Sequence, residues 1–296
     1  MSFTIVTVLH DSAPELAPLL RSVRDHLPAG TQHVVVDSGS RDDGPALATA
    51  AGAEVIALDA NLGFGAASNV GVARARHEVT VLLNPDCELR DGGLAALAAR
   101  ASGLEALLVP RLVEADGALQ RSAHPLPGRP AALARAVLPT RALAQPHRAR
   151  RPRRVGWAIA ACLAARTTLL RRLGPFDPGV FLFYEDMDLC LRARAAGVPT
   201  VLCPEVVVRH LGGRSTARAF GGEAFDLQAR RRREVIGARL GARALRIDDG
   251  AQALTFGLRA AVGRERGRNL AALRALRAAR RMATAARPSA RRPRST

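Results

Sequence analysis

A chain of 296 residues that is 48% hydrophobic can bury a sizeable core, and it is long enough for one large domain or for a domain with an appendage. Its net charge of +18 comes from 44 basic residues, all of them Arg, against 26 acidic ones, while aromatic residues make up only 3%. That charge invites a nucleic-acid reading, but so few aromatics exclude a base-stacking surface, and no nucleic-acid partner is expected. An anionic lipid surface or the phosphates of a sugar nucleotide suit the charge as well.

No run reaches the roughly 18 apolar residues of a membrane-spanning helix. The longest candidate, Trp157 to Ala165, is cut short by Arg166. The opening MSFTIVTVLHDS lacks a basic n-region and reads as a first strand, so the cytoplasm is the expected compartment. Cys87, Cys162, Cys190 and Cys203 form no C-x-x-C pair, which predicts buried, reduced thiols rather than a zinc site or disulfides.

In chain order, Phe3 to Val8 is the near-continuous apolar run of a parallel strand covered on both faces. Asp11 or Ser12 can cap the next helix, whose Leu16, Leu19, Leu20 and Val23 recur at helical spacing before Pro28. Strand His33 to Val36, helix Pro45 to Ala51, strand Glu54 to Leu58, a helix after Gly65 and strand Val79 to Leu83 follow. This alternation predicts βαβ units in an open, mostly parallel sheet flanked by helices. Ligands bind such sheets beyond the carboxyl ends of the strands. Those ends carry His10-Asp11, Asp37-Ser38-Gly39-Ser40, Asn61-Leu62-Gly63-Phe64-Gly65 and Asn84-Pro85-Asp86, which should line one crevice.

Glu105 to Pro110 reads as a further strand. The Pro- and Arg-rich segment 125–154 breaks the pattern and is expected to be a mobile excursion, either an acceptor-side flap or a plain loop. A short helix is predicted at Thr167 to Leu173, and strands at Thr200 to Cys203 and Val206 to Val208. Between them, Phe176 to Gly197 places Phe176, Phe181, Phe183 and Tyr184 directly before Glu185, Asp186 and Asp188, at the start of a helix that ends at Gly197. Acids there can simply complement the helix dipole. Three acids in four residues beside bulky apolar groups also repel one another and lose solvation, which raises a carboxyl pKa and suits a general base.

VVVDSGSRDDG, NLGFGAASNVG, LLNPDCEL, FDPGVFLFYEDMDLCLR and VVVRHLGG, in this order over residues 3 to 215, resemble the inverting family 2 glycosyltransferases of the GT-A fold, and among them the bacterial rhamnosyltransferase-like enzymes. The resemblance implies a GT-A domain over 1–216, with 217–296 as a basic helical extension, and transfer of a sugar from a nucleoside diphosphate sugar to a glycan or lipid-linked acceptor. It assigns Asp186 as base with Glu185 beside it, and Asp37, Asn61, Gly63, Phe64, Asn69 and Asn84 to the donor. Asp86 and His210 would hold Mg²⁺ or Mn²⁺. An Asx-turn at Asp37, an Asn-Pro turn at Asn84 and a bystander role for His210 are the corresponding structural readings. Where the family usually has a small Gly-containing turn, this chain has Ile159 and Ala160.

Beyond Thr216, Gln228 to Leu240 and Asn269 to Met282 are basic amphipathic helices, suited to a helical lid or to the anionic inner face of the plasma membrane, and PSARRPRST is expected to be disordered. Two rivals remain: a noncatalytic basic protein binding nucleic acid or membrane, and a nucleotidyltransferase. The second would want a Gly-rich phosphate loop after the first strand, which TVLHDSAP lacks.

Overall fold

The computed structural model describes residues 1–138, 145–212, 224–263 and 265–285. They belong to two compact units, Met1–Leu126 with Ala144–Gly222 and Pro127–Leu143 with Glu223–Thr296.

The first unit opens with β1 (Thr4–Leu9), α1 (Ala13–His26), β2 (Gln32–Asp37), α2 (Gly44–Ala50), β3 (Glu54–Ala57), α3 (Gly63–Arg74) and β4 (Val79–Leu83), the alternation expected from the sequence. All residues of β1 and β4 are buried, as continuous apolar strands covered on both faces must be. Ser12 occupies the N-cap position of α1, but its side chain makes no capping bond. The Ser12 hydroxyl donates to the His10 carbonyl at 2.8 Å, and the Ala13 N–H is taken by the Asp42 carboxylate at 2.7 Å, from a loop 29 residues away.

After β5 (Cys87–Leu89), α4 (Gly93–Ser102), β6 (Leu107–Val113) and β7 (Ala123–His124), the chain enters the Pro- and Arg-rich segment. It is not a plain loop. It carries α5 (Ala131–Val137), which belongs to the second unit, a 3-10 turn at Pro146–Arg148 and strand β8 (Arg153–Val155). Residues 139–144 lie outside the described residues.

The apolar run from Trp157 resolves into β9 (Trp157–Ala158), a turn at 159–161 and β10 (Cys162–Arg166), followed by α6 (Thr167–Leu173), α7 (Glu185–Ala195) and β11 (Thr200–His210). The two strands expected at Thr200 to Val208 are one, with an irregularity between Cys203 and Val207. Among the described residues the main sheet runs β3-β2-β1-β4-β10-β6-β11-β5, with β8 against β11. It is mixed and mostly parallel. β10 is antiparallel to both β4 and β6, whereas β1 to β4 run together and β6 pairs β11 in parallel.

This topology sets the rim. The carboxyl ends of β1, β2 and β4 lie together; antiparallel β10 starts at that same edge, with Cys162 opposite Leu83, and the end of β11 returns to it, with His210 opposite Cys87. Beneath lies a core that includes Phe3, Ile5, Leu16, Leu19, Leu94, Leu97 and Leu108, all 1% exposed or less. The four cysteines are buried and unpaired.

The second unit contains α5, α8 (Phe225–Ala261) and α9 (Arg266–Ala285). Helix α8 extends past the expected end at Leu240, and it is broken at Gly241, whose φ of 81° and ψ of 175° leave the helical region. Across the break Arg232 bonds both oxygens of buried Asp248 at 2.8 Å, and Arg233 bonds buried Asp249. The terminal PSARRPRST lies outside the described residues. No helix among the described residues is long and apolar enough to cross a membrane.

Candidate active site

A cavity of about 450 Å³ opens on the rim of the first unit. It is lined by His10, Ser38, Asn61, Gly63, Phe64, Asn84, Pro85, Asp86, Ile159 to Ala161, Phe181 to Phe183, Glu185, Asp186 and His210. Every one of the four polar strand ends expected there contributes to it.

The carboxylates sit at the start of α7, reached through Phe183 and Tyr184, whose φ values of 69° and 64° are left-handed. Two consecutive aromatic residues in that region carry strain that the surrounding structure must support. Tyr184 packs edge-on against Trp157, with ring centroids 6.1 Å apart. Behind the acids, the nearly buried Asp188 pairs with Arg192 at 2.7 Å, and Arg192 also donates to the Leu173 and Pro175 carbonyls. Asp188 is thereby committed to holding the approach to α7.

Glu185 and Asp186 line the cavity instead. Burial pushes both carboxyls above the ordinary carboxylate range. At Glu185 the charge of Asp186 adds to burial, and among the described residues its Oε2 has no hydrogen-bond partner. Desolvation of Asp186 is opposed by backbone N–H groups, including those of Met187, at 2.6 Å, and Ala160. These N–H donors favour the ionised form of Asp186, which is the form a base requires.

Asp86 and His210, 7% and 6% exposed, stand with Nε2 of the imidazole 3.3 Å from the carboxylate. The other ring nitrogen, Nδ1, is 2.9 Å from Oε1 of Gln120; in the tautomer whose Nδ1–H donates there, Nε2 has a lone pair for a metal ion. Ligand atoms of Asp86, Cys87 and His210 lie within 4.8 Å of one another. The Cys87 thiol donates to the Ala161 carbonyl at 3.3 Å, and burial followed by the Asp86 charge raises its pKa, so it remains a thiol. A carboxylate oxygen and an imidazole nitrogen suit Mg²⁺ or Mn²⁺, and the same cavity is lined by Asn84, whose buried Oδ1 has no partner among the described residues. Gln120 was missed in the sequence because nothing in its neighbourhood marks a residue that reaches 90 positions along the chain.

The remaining expected donor residues divide. Asn61 accepts from Gly63 N–H at 2.9 Å and from the Ser38 hydroxyl at 3.3 Å, and Phe64 packs edge-on against Phe176 at 5.4 Å. Both line the cavity. Asp37 and Asn69 do not. The carboxylate of Asp37 accepts the Ser40 N–H at 3.0 Å, the turn-stabilising geometry. Both ends of the Asn69 amide are occupied by the Phe176 backbone, at 2.8 and 2.9 Å. The glycines nearby serve the same closure: a Cβ on Gly63, where φ is 80°, would stand 2.2 Å from the Phe181 carbonyl oxygen, and one on Gly65 would stand 2.9 Å from Phe176 Cβ. Their close approach is to the chain's own aromatic loop.

The family model of glycosyl transferase family 2 matches residues 4–162. The acidic stretch and the VVVRHLGG motif lie beyond that match. The chain is 28% identical over 237 residues to an N-acetylglucosaminyl-diphospho-decaprenol L-rhamnosyltransferase of Mycobacterium tuberculosis, covering 72% of this chain and 77% of the relative. In fold it is similar to the mannosyltransferase PcManGT of Pyrobaculum calidifontis, in complex with GDP-Man and Mn²⁺, with a TM-score of 0.59, 16% identity and coverage of 96% of this chain and 75% of that one. It also resembles GalNAc-T7 with UDP, GalNAc and Mn²⁺, with a TM-score of 0.56 and 18% identity. That likeness covers 71% of this chain and only 43% of GalNAc-T7.

Proposed function

The chain belongs to glycosyl transferase family 2, and from that premise we propose that it transfers a sugar, with rhamnose as the leading candidate, from a nucleoside diphosphate sugar to an acceptor hydroxyl with inversion. The observation that carries this reading is one cavity that joins two buried carboxyls, both raised by desolvation, to the Asp86–His210 pair. The mycobacterial relative's name supports rhamnose as the sugar and a lipid-linked acceptor, in the service of cell-surface polysaccharide or glycolipid.

In this mechanism ionised Asp186 accepts the proton of the acceptor hydroxyl as its oxygen attacks the anomeric carbon through an oxocarbenium-like transition state. The bond from that carbon to the diphosphate breaks, and its electron pair leaves with the nucleoside diphosphate. Glu185, beside it in the same cavity, hydrogen-bonds a sugar or acceptor oxygen. Asp86, His210 and Asn84 would hold the divalent cation, which supplies neutralisation of the charge on the departing diphosphate. Asn61, Gly63 and Phe64 border the donor, and Asp37 and Asn69 act from behind by holding turns. The catalytic domain is the first unit, acting in the cytoplasm against the inner face of the plasma membrane.

A screen of nucleotide sugars for donor hydrolysis with Mn²⁺ or EDTA tests the proposal. Release of one nucleoside diphosphate, dependent on metal, is expected. Hydrolysis of no donor, or equal hydrolysis in EDTA, would contradict it.

A further inference from the structure

The second unit holds 22 Arg residues against six acidic ones, so it carries +16 of the chain's +18. Within it, exposed charge and exposed apolar side chains are sorted along one pair of helices. Gly128 approaches Ala244, and Leu133 approaches Gly250, so α5 runs beside the second half of α8 in the same direction. At the leading end, Arg129, Arg243 and Arg246 are exposed and form no ion pair among the described residues. Past the Leu133–Gly250 approach, the α5 segment carries Leu133, Val137 and Leu138 and α8 carries Leu254, Leu258 and Val262, all between 37% and 77% exposed. Leu254, Leu258 and Val262 follow one another at a spacing of four, which keeps them on one stripe of the helix.

We propose that this α5–α8 face docks on an anionic bilayer, with the leucine and valine ridge entering the headgroup boundary and the three arginines on lipid phosphates. It rests on the reading of a lipid-linked acceptor only for its purpose; the docking itself stands on the sorted face. An apolar ridge beside a basic end is what an interfacial helix needs, because buried apolar area and attraction to anionic lipid add together. A second copy of the chain would bring +16 against +16, and a nucleic acid would leave the ridge in water.

The test is co-sedimentation of the full chain with sucrose-loaded vesicles of phosphatidylcholine alone or with phosphatidylglycerol. The expected result is binding to the mixed vesicles only, weakened by salt, and reduced at least tenfold in Leu254→Glu/Leu258→Glu and severalfold in Arg129→Gln/Arg243→Gln/Arg246→Gln. Both variants change exposed residues, and circular dichroism with unchanged metal-dependent donor hydrolysis shows that they fold. Equal binding by the ridge variant and the unaltered chain would overturn the proposal. So would binding of RNA or self-association abolished by the ridge variant, where no vesicle binding is seen. Because donor hydrolysis is read separately, failure of docking and failure of the glycosyltransferase reading are distinguishable.

Discussion

The two units contain equal numbers of arginines and use them differently. The first has 22 against 20 acidic residues, close to neutral, and the second has 22 against six. In the first, Arg192 is locked onto Asp188 and two carbonyls at the root of α7, and the acids left over, Glu185, Asp186 and Asp86, face a cavity. In the second, Arg232 and Arg233 are matched to Asp248 and Asp249 across the Gly241 break, and it is arginines that are left over. The net charge of the whole chain therefore says nothing about the site. It belongs almost wholly to the unit without the cavity, and it argues for a surface partner, whereas the near-neutral unit argues for chemistry.

The comparison breaks first if the arginine in the catalytic unit is dispensable. Arg192→Ala removes the ion-pair partner of the nearly buried Asp188 carboxylate together with the donors to the Leu173 and Pro175 carbonyls, and should cost about 3–5 kcal/mol of stability, read as a lowered urea midpoint. An unchanged midpoint would mean that Asp188 is free for the cavity after all. Next comes the metal pair. Gln120→Leu should lower Mn²⁺ affinity about 10–100-fold in calorimetry while leaving the fold intact, because it releases the His210 ring. Gly63→Ala is expected to cost about 1–3 kcal/mol, since its backbone is left-handed and its Cβ would meet the Phe181 carbonyl; thermal unfolding reads that loss.

The smallest effect sharpens the comparison through pH. Glu185 and Asp186 have folded-state pKa values raised above their unfolded ones, so the native state binds more protons between the two values. Stability accordingly falls as pH rises through that window. Glu185→Gln should flatten this fall and unfold later than the unaltered protein at alkaline pH, with little difference at acid pH. Activity runs the other way: the rate should drop on acidification at a pH above the ordinary Asp range, as Asp186 takes up its proton.

Much of this arrangement was legible in the sequence because it is local. The βαβ alternation, the helix Thr167–Leu173 and the acids opening Glu185–Ala195 follow from periodicity and punctuation within short windows. The rest depends on partners far along the chain. Asn69 was expected on the donor, yet its amide is taken by Phe176, 107 residues on. The cap of α1 comes from Asp42, and the imidazole of His210 is set by Gln120. The antiparallel insertion of β10 between β4 and β6 was hidden because an apolar run such as Trp157 to Ala165 carries no direction. Segment 125–154 misled by its prolines, which mark turns between elements as readily as they mark a loop.

The central claim, that the first unit's acids do chemistry rather than cap a helix, is tested most directly by Asp186→Asn in the full chain. Transfer and nucleoside diphosphate binding would be measured on the same preparation with Mn²⁺. Asn keeps the size of Asp and some of its capping ability but cannot accept a proton at neutral pH, so the account predicts a rate loss of about 10²–10⁴-fold with donor affinity nearly unchanged. Full activity in the folded variant, or a loss of donor binding equal to the loss of rate, would contradict it.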